Sequence, residues 1–372
     1  KYCTTWHDPA YFDDFFELFA PLLLSQARWN DFENVYRIID GYASDEVTAR
    51  FAYIYGRLVQ EKYATPADAD QAQKDAFTRA LSSGSDTYYK ALAAGQLDLD
   101  DAATEEVMCS SNMNKAFVRD EQEEKFLEGY ASFGLPEKIY PEWLLFFEKG
   151  KPVSLACASD LSSFLAKSSD GKDEFYAQSL RIITRTANSS DAPLTPDVLR
   201  LMYPCNYSDA VAESCRKFGL SEETMYALIR SESFFDPEAV SGAGAVGLTQ
   251  LMEFTAGDIS QRLKKLDYDL KDPKTNIEFG AYYLANLIQR LDGSILSAFF
   301  SYNAGISRVR RWIQSSRIEL GGRQSLPYDL FLETIPYSET REYGRKLVSA
   351  SAAYGWLYCG KSVHGVVTEI LK

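Results

Sequence analysis

The sequence predicts an all-α protein with more than one domain. Three observations carry this. Apolar residues recur at three- and four-residue spacing through one segment after another. Short breaks of Gly, Pro, Ser and Asp separate those segments, and no strand-type alternation persists anywhere. At 372 residues the chain is too long for one typical core. Its 46% hydrophobic and 25% charged residues are ordinary for a globular protein.

Helices are predicted over 13–24, 32–39, 45–61, 66–81, 86–94 and 121–133. Breaks fall at Gly41, Thr65-Pro66, Ser82-Ser83-Gly84-Ser85 and Gly134-Leu135-Pro136. Such consecutive helix pairs suggest an α-superhelical arm over 1–190 that resembles tetratricopeptide arrays. No constant period aligns, so an irregular helical domain is the alternative. The Ser-, Pro- and Asp-rich stretch from Asn188 to Asp197 reads as a linker, which places the start of a second domain at 191–203 and its body at 204–372. In that body a helix over 208–218 stops at Gly219, a residue suited to a left-handed C-terminal position. Ser221 then reads as an N-cap, with Glu222 and Glu223 complementing the positive helix start. Asp272-Pro273 opens a helix to about Leu291, and Ser338 opens one to about Tyr354.

Composition excludes whole classes of chemistry. The histidines are His7 and His364, near opposite ends. Serine–histidine triads and common zinc sites are therefore not credible, and hydrolytic or lyase chemistry must rest on carboxylates. The net charge of −14 is uneven: residues 1–200 contribute −13 and residues 201–372 only −1. The acidic half argues against nucleic acid, which calls for a basic stripe. The near-neutral half tolerates a polymer carrying some carboxylates. The 24 Tyr and 22 Phe suit either a carbohydrate surface or packing between helices.

Six cysteines show no CxxC spacing. Cys205 and Cys215 are nearest in sequence, yet ten residues of helix would hold them ~15 Å apart, so a bridge requires Cys205 to lie outside the helix. The longest apolar run, Leu18 to Leu24, is far short of a membrane span and contains Pro21. Lys1-Tyr-Cys opens without the apolar stretch of a signal peptide, which fits either a mature form after cleavage or a cytoplasmic start.

The most informative segment runs from Ala227 to Met252. A helical pattern ends on Glu232, which shares a face with Met225 and Leu228. A carboxylate on that face looks into the domain or into a cleft cut into it. Desolvation and the negative end of the helix dipole both favour its protonated form, which is what a general acid requires. An exposed Glu at a frayed helix end is the alternative. Asp236-Pro237 then turns the chain, and Gly242, Gly244 and Gly247 let the backbone pass close to a ligand or a packed helix.

Four further motifs follow in order after Glu232-Ser233. They are the run from Ser241 to Met252, Asn276-Ile-Glu-Phe-Gly280 with Tyr283-Leu284, Tyr302-Asn-Ala-Gly305, and Ile335-Pro-Tyr-Ser-Glu-Thr-Arg341 with Tyr343. Together they resemble the catalytic domain of soluble lytic transglycosylases, whose fold is similar to goose-type lysozyme. The resemblance covers about Tyr203 to Tyr358, and the helical arm resembles that family's superhelical region more loosely.

The resemblance implies a lyase acting on peptidoglycan glycan strands, in a periplasmic or exported setting. Glu232 would be the single acid/base. It would protonate the oxygen between N-acetylmuramic acid and N-acetylglucosamine, then take the proton of the muramoyl C6 hydroxyl as a 1,6-anhydro ring closes. Ser233, Gln250, Met252, Tyr302, Asn303, Ala304 and Tyr343 match positions lining the sugar groove. For Met252 the alternative is a core role, and for Tyr302 a buried, satisfied tyrosine. Glu339, just after Ser338 at a positive helix start, is expected to stay ionised and to assist Glu232; an ordinary first-turn Glu is the alternative.

Thr249, Glu253 and Ser301 depart from residues frequent in the family, and Glu253 adds charge close to Gln250. No cofactor or metal is expected, since Asp267 to Asp272 lacks the glycine and closing Glu of a calcium loop. Two other functions compete: a lysozyme-like hydrolase on the same fold, and a non-catalytic wall-binding scaffold.

Overall fold

A computed structural model describes residues 7–82, 87–110, 121–169, 174–316 and 325–372. Cys3 and most of the break at 82–85 lie outside them, as does Asp86. The described chain is all-α, as expected. Its helices are α1 (Asp13–Ser25), α2 (Trp29–Ile39), α3 (Asp45–Gln60), α4 (Ala69–Ala80), α5 (Thr87–Gln96), α6 (Asp101–Met108), α7 (Glu121–Ser132), α8 (Pro136–Glu148), α9 (Leu155–Ser168) and α10 (Glu174–Asn188). Then come α11 (Pro196–Met202), α12 (Ser208–Phe218), α13 (Glu222–Ser233), α14 (Glu253–Leu263), α15 (Pro273–Arg290), α16 (Ile295–Ala304), α17 (Ile306–Ser316), α18 (Tyr328–Thr334), α19 (Ser338–Tyr358) and α20 (Val363–Ile370). A hairpin of β1 (Ala245–Val246) and β2 (Leu251–Met252) interrupts them.

Several helix starts differ from the sequence expectation for local reasons. The fourth helix was expected from Pro66 but begins at Ala69, because the Asp68 carboxylate accepts the Gln71 N–H at 3.1 Å and fixes the cap there. The second begins at Trp29, three residues early, where Arg28 pairs with Asp31 at 2.7 Å and the Trp29 ring lies 4.9 Å from that of Tyr63. Gly219 ends α12 at φ +70°, as its position predicts.

Packing divides the chain into two units. The first comprises residues 1–108, 287–356 and 360–372, and the second 109–286 and 357–359. The Ser/Pro-rich stretch at 188–197 thus falls inside the second unit, where the Leu194 N–H donates to the Cys109 carbonyl at 2.8 Å.

In the first unit α3 is the central helix, buried continuously from Val47 to Val59. The Ser44 hydroxyl caps it by accepting the Val47 N–H. Gly56 brings α4 close, since a Cβ there would stand 2.6 Å from the Phe77 ring. Burial of Arg50 and Arg57 on this helix demands charged partners. Arg50 pairs with Glu17 of α1. Arg57 donates from Nε to Asp329 of α18 at 2.6 Å, and the Tyr53 hydroxyl donates to the same carboxylate at 2.7 Å. Arg345 of α19 and the Tyr89 hydroxyl both donate to Glu333.

Pro21 explains a further tie. Lacking an N–H, it leaves the Glu17 carbonyl without its in-helix donor. Arg341 Nη2 donates to that carbonyl at 2.6 Å and to the Glu17 carboxylate at 2.7 Å, so α1 passes through Pro21 unbroken.

Burial pushes the Glu17 carboxyl up, but Arg345, Arg50 and Arg341 outweigh it and leave it below the usual carboxylate range. A depressed folded value gives stability that is present above the unfolded pKa, about 4.3, and is lost as pH falls through the folded one. Melting temperatures measured from pH 7 to 3 should therefore drop on the acid side for the wild type. Glu17→Gln should be less stable at pH 7 with a flatter acid branch; parallel curves would remove Glu17 from the account.

In the second unit α9 packs on α10 and α7, with its Ser154 cap accepting the Cys157 N–H at 3.2 Å. Cys205 does lie outside α12, yet Cys205 and Cys215 stand as separate thiols, each pushed up to about 12 chiefly by burial.

Candidate active site

The helix α13 delivers Glu232 to its penultimate position. Residues 223–229 and Ser233 are buried while Glu232 is half-buried, so the carboxylate sits where the apolar face of the helix reaches its end. Ser221 occupies the N-cap, but its hydroxyl donates to the Thr224 hydroxyl at 2.7 Å rather than accepting a backbone N–H.

After Ser233 the backbone reverses through two consecutive left-handed residues, Phe234 (φ 53°) and Phe235 (φ 63°). That conformation is costly for bulky residues and persists only when packing enforces it. Phe235 is fully buried, its ring 6.4 Å from Tyr226 and 6.2 Å from Tyr176. The buried ring fixes the turn that presents Glu232.

The glycine-rich segment folds back as a small hairpin. Val240 bridges Val246, and Ala245 and Val246 pair with Met252 and Leu251. Ser233 ties the helix end to this segment, its hydroxyl donating to the Leu248 carbonyl at 2.9 Å and lying near that of Ile229 at 3.2 Å. Ser233 is 4% exposed. Gln250, at φ 48°, donates from Nε2 to the carbonyls of Gly247 (2.9 Å) and Ala239 (3.1 Å) and so braces the loop. Met252 is 44% exposed. The Glu253 carboxylate accepts the Tyr268 hydroxyl at 2.6 Å.

Asn276 organises this loop. Its Oδ1 accepts the Thr249 N–H (2.8 Å) and hydroxyl (2.7 Å), and its Nδ2 donates to the carbonyls of Leu270 (2.8 Å) and Val246 (3.0 Å). The side chain is fully buried and fully employed. Of the three loop glycines, Gly247 is the one that packing requires. Its φ is +79°, and a Cβ would lie 2.3 Å from both Asn276 Nδ2 and the Leu270 carbonyl. The backbone there approaches a packed helix, which resolves the alternative left open by the sequence. Gly280 plays the matching part on α15, where a Cβ would strike the Thr249 side chain at 2.5 Å. Asn276 and Gly280 stand in the sequence as motif members without roles; with Lys274-Thr275 before it and Ile277-Glu278 after it, Asn276 carries no local signal of burial.

Asn276→Ala should remove the side-chain donors of the Leu270 and Val246 carbonyls and leave the Thr249 N–H without its acceptor in a buried place, costing about 2 kcal/mol, while the Thr249 hydroxyl keeps the Asn276 backbone carbonyl. Urea denaturation checks this, and a loss under about 0.5 kcal/mol would show that the clamp is dispensable.

The remaining candidates belong to the first unit. Tyr302 is half-buried near the end of α16, followed by the exposed Asn303 and by Ala304, before Gly305 stops the helix at φ +86°. Asn303 Oδ1 accepts the Thr340 hydroxyl at 2.7 Å, which joins Tyr302-Asn303 to the first turn of α19. Glu339 is exposed in that turn, and Tyr343 is half-buried one turn on. Glu339 borders a recess of ≈ 530 Å³ also lined by Asp13, Glu17, Glu46, Arg50 and Glu342. The structure thus brings together Glu232, Ser233, Gln250 and Met252 in one unit, and Tyr302, Asn303, Ala304, Glu339 and Tyr343 in the other.

Among the described residues no cluster of three His, Cys, Asp or Glu could hold a metal. Asp269 and Asp272 are engaged by the backbone N–H groups of Lys271 (2.8 Å) and Thr275 (2.9 Å). No described helix is long and apolar enough to cross a membrane.

Residues 209–321 match the family model of the transglycosylase SLT domain. That segment is similar to an SLT domain. The soluble lytic murein transglycosylase of Salmonella typhimurium is 34% identical over 162 residues, which cover 42% of this chain and 24% of that protein. Two solved structures share the helical fold. Lytic transglycosylase Slt of Pseudomonas aeruginosa, an inactive Glu-to-Gln mutant, has a TM-score of 0.67 at 22% identity over 98% of this chain and 55% of that one. The 70 kDa soluble lytic transglycosylase of Escherichia coli has a TM-score of 0.65 at 21% identity over 95% and 52%. This chain therefore spans about half the length of those structures and a quarter of the curated relative.

Proposed function

We propose that the chain is a peptidoglycan lytic transglycosylase. The observation that carries this is Glu232, held at the end of α13 by a strained, packed turn within the segment that matches the SLT domain. Glu232 donates its proton to the glycosidic oxygen, and N-acetylglucosamine departs. The resulting carboxylate takes the proton of the muramoyl C6 hydroxyl as that oxygen bonds to C1, closing the 1,6-anhydro ring. One group serves as acid and then as base, and no water is consumed.

Around it, Ser233 and Gln250 position the loop, and Met252 offers an adaptable apolar contact to a sugar. Tyr302, Asn303, Ala304 and Tyr343 are assigned to sugar recognition in the first unit, and Glu339 to an auxiliary role. Residues 204–372 form the catalytic region in this reading, and helices within 1–190 restrict which strands reach it. The substrate places the reaction outside the cytoplasm.

The test is incubation with purified sacculi. Clearing of the suspension with release of soluble fragments is expected. Binding without clearing would favour a wall-binding scaffold instead.

A further inference from the structure

Between Asp292 and Glu319 the sequence contains no Asp or Glu, although the chain as a whole carries −14. Within that stretch α17 presents the exposed residues Arg308, Arg310 and Arg311. The buried arginines of the same unit are matched to carboxylates, Arg57 to Asp329 and Arg345 to Glu333. Among the described residues no carboxylate pairs with Arg308, Arg310 or Arg311. Arg310 faces away from the other two and donates to the Arg290 carbonyl at 3.0 Å.

Arg308, Arg311 and Trp312 share one face of the helix by their three- and four-residue spacing. Arg308 uses Nη1 on the Ala304 carbonyl at 3.1 Å, and its guanidinium lies 5.7 Å from the centre of the Tyr337 ring. Trp312 meets the same ring edge-on at 5.4 Å, and Tyr337 remains 50% exposed. The face therefore offers an aromatic shelf beside guanidinium donors that no carboxylate occupies among the described residues. It is continuous with Tyr302-Asn303-Ala304 through the Arg308–Ala304 hydrogen bond. A planar guanidinium suits a carboxylate, and an exposed ring suits a sugar face.

We propose that the Arg308–Arg311–Trp312–Tyr337 face reads carboxylates carried by a glycan strand, so that acidic strands bind in preference to neutral ones. This rests on the reading of the chain as a peptidoglycan enzyme and names the chemical feature that selects its substrate. Two groups could supply the carboxylate: the muramoyl lactyl acid or the peptide stem attached to it.

The test measures affinity of the Glu232→Gln chain, which does not turn over, for three glycans of equal length at low salt. They are a stem-bearing muroglycan, an amidase-stripped muroglycan that keeps the lactyl carboxylate, and a neutral chitooligosaccharide. A preference of roughly tenfold for an acidic strand over the neutral one is expected, shrinking as salt rises. Arg311→Glu should erase it, whereas the charge-matched control Lys346→Glu, on exposed α19 surface, should keep it. Preference for stem-bearing strands alone assigns the stem, and equal preference for both acidic strands assigns the lactyl group. Equal binding of neutral and acidic strands overturns the proposal. So do equal effects of the two variants, or tighter binding to anionic-lipid vesicles than to either acidic glycan. A wild type that clears sacculi without any acidic preference defeats this inference alone. A wild type that prefers acidic strands but does not clear sacculi defeats the catalytic reading and leaves the inference standing.

Discussion

Glu232→Gln is expected to lower release of soluble muropeptides by about 10³-fold or more, equivalent to about 4 kcal/mol of lost transition-state stabilisation. The amide keeps the size and most hydrogen-bonding capacity of the side chain but cannot deliver and retrieve a proton. The half-buried position at the end of α13 is preserved, so the melting temperature should stay within about 2 °C of wild type. Retained activity would remove Glu232 from the chemistry. Lost activity with a large fall in melting temperature would mean that the variant had misfolded instead.

Arg341→Met is expected to give the largest stability loss of any single change considered, about 3–5 kcal/mol. Arg341 is fully buried and serves the Glu17 carboxylate, the Glu17 carbonyl freed by Pro21, and the Ile335 carbonyl. Its removal strands the two carbonyls and leaves the Glu17 charge to Arg50 and Arg345 alone. Pro21→Ala supplies the missing helix N–H, so the double variant should lose less than the sum of the two single effects. Denaturant midpoints of the four proteins test this. Strict additivity would show that the Glu17 carbonyl does not depend on Arg341.

The sequence was legible where chemistry is local. Gly219 ended its helix because a left-handed residue was needed, and Asp272-Pro273 opened α15 because Asp272 accepts the Thr275 N–H. The position of Glu232 near the end of α13 followed from apolar spacing alone. Long-range ties were not legible. Glu17 and Arg341 stand 324 residues apart, and nothing in either neighbourhood announces that they meet. Hydrophobic periodicity indicates which face is buried, but not which charged groups are buried with it. Arg50, Arg57, Arg341 and Arg345 are read from sequence as surface residues by default, yet all four are buried.

The same limit applies to the candidate site. Ser233 and Gln250 came into view through motif position, while the burial of Ser233 and the carbonyl partners of both depend on how the loop folds. Asn276 was visible as a motif letter; its four hydrogen bonds were not.

Mass analysis of the muropeptides released from sacculi tests the central claim most directly. Muramoyl ends lighter by one water are expected, the mark of a 1,6-anhydro ring closed by the substrate's own C6 oxygen. Products with reducing muramoyl ends would contradict it and identify a hydrolase in which Glu232 activates water.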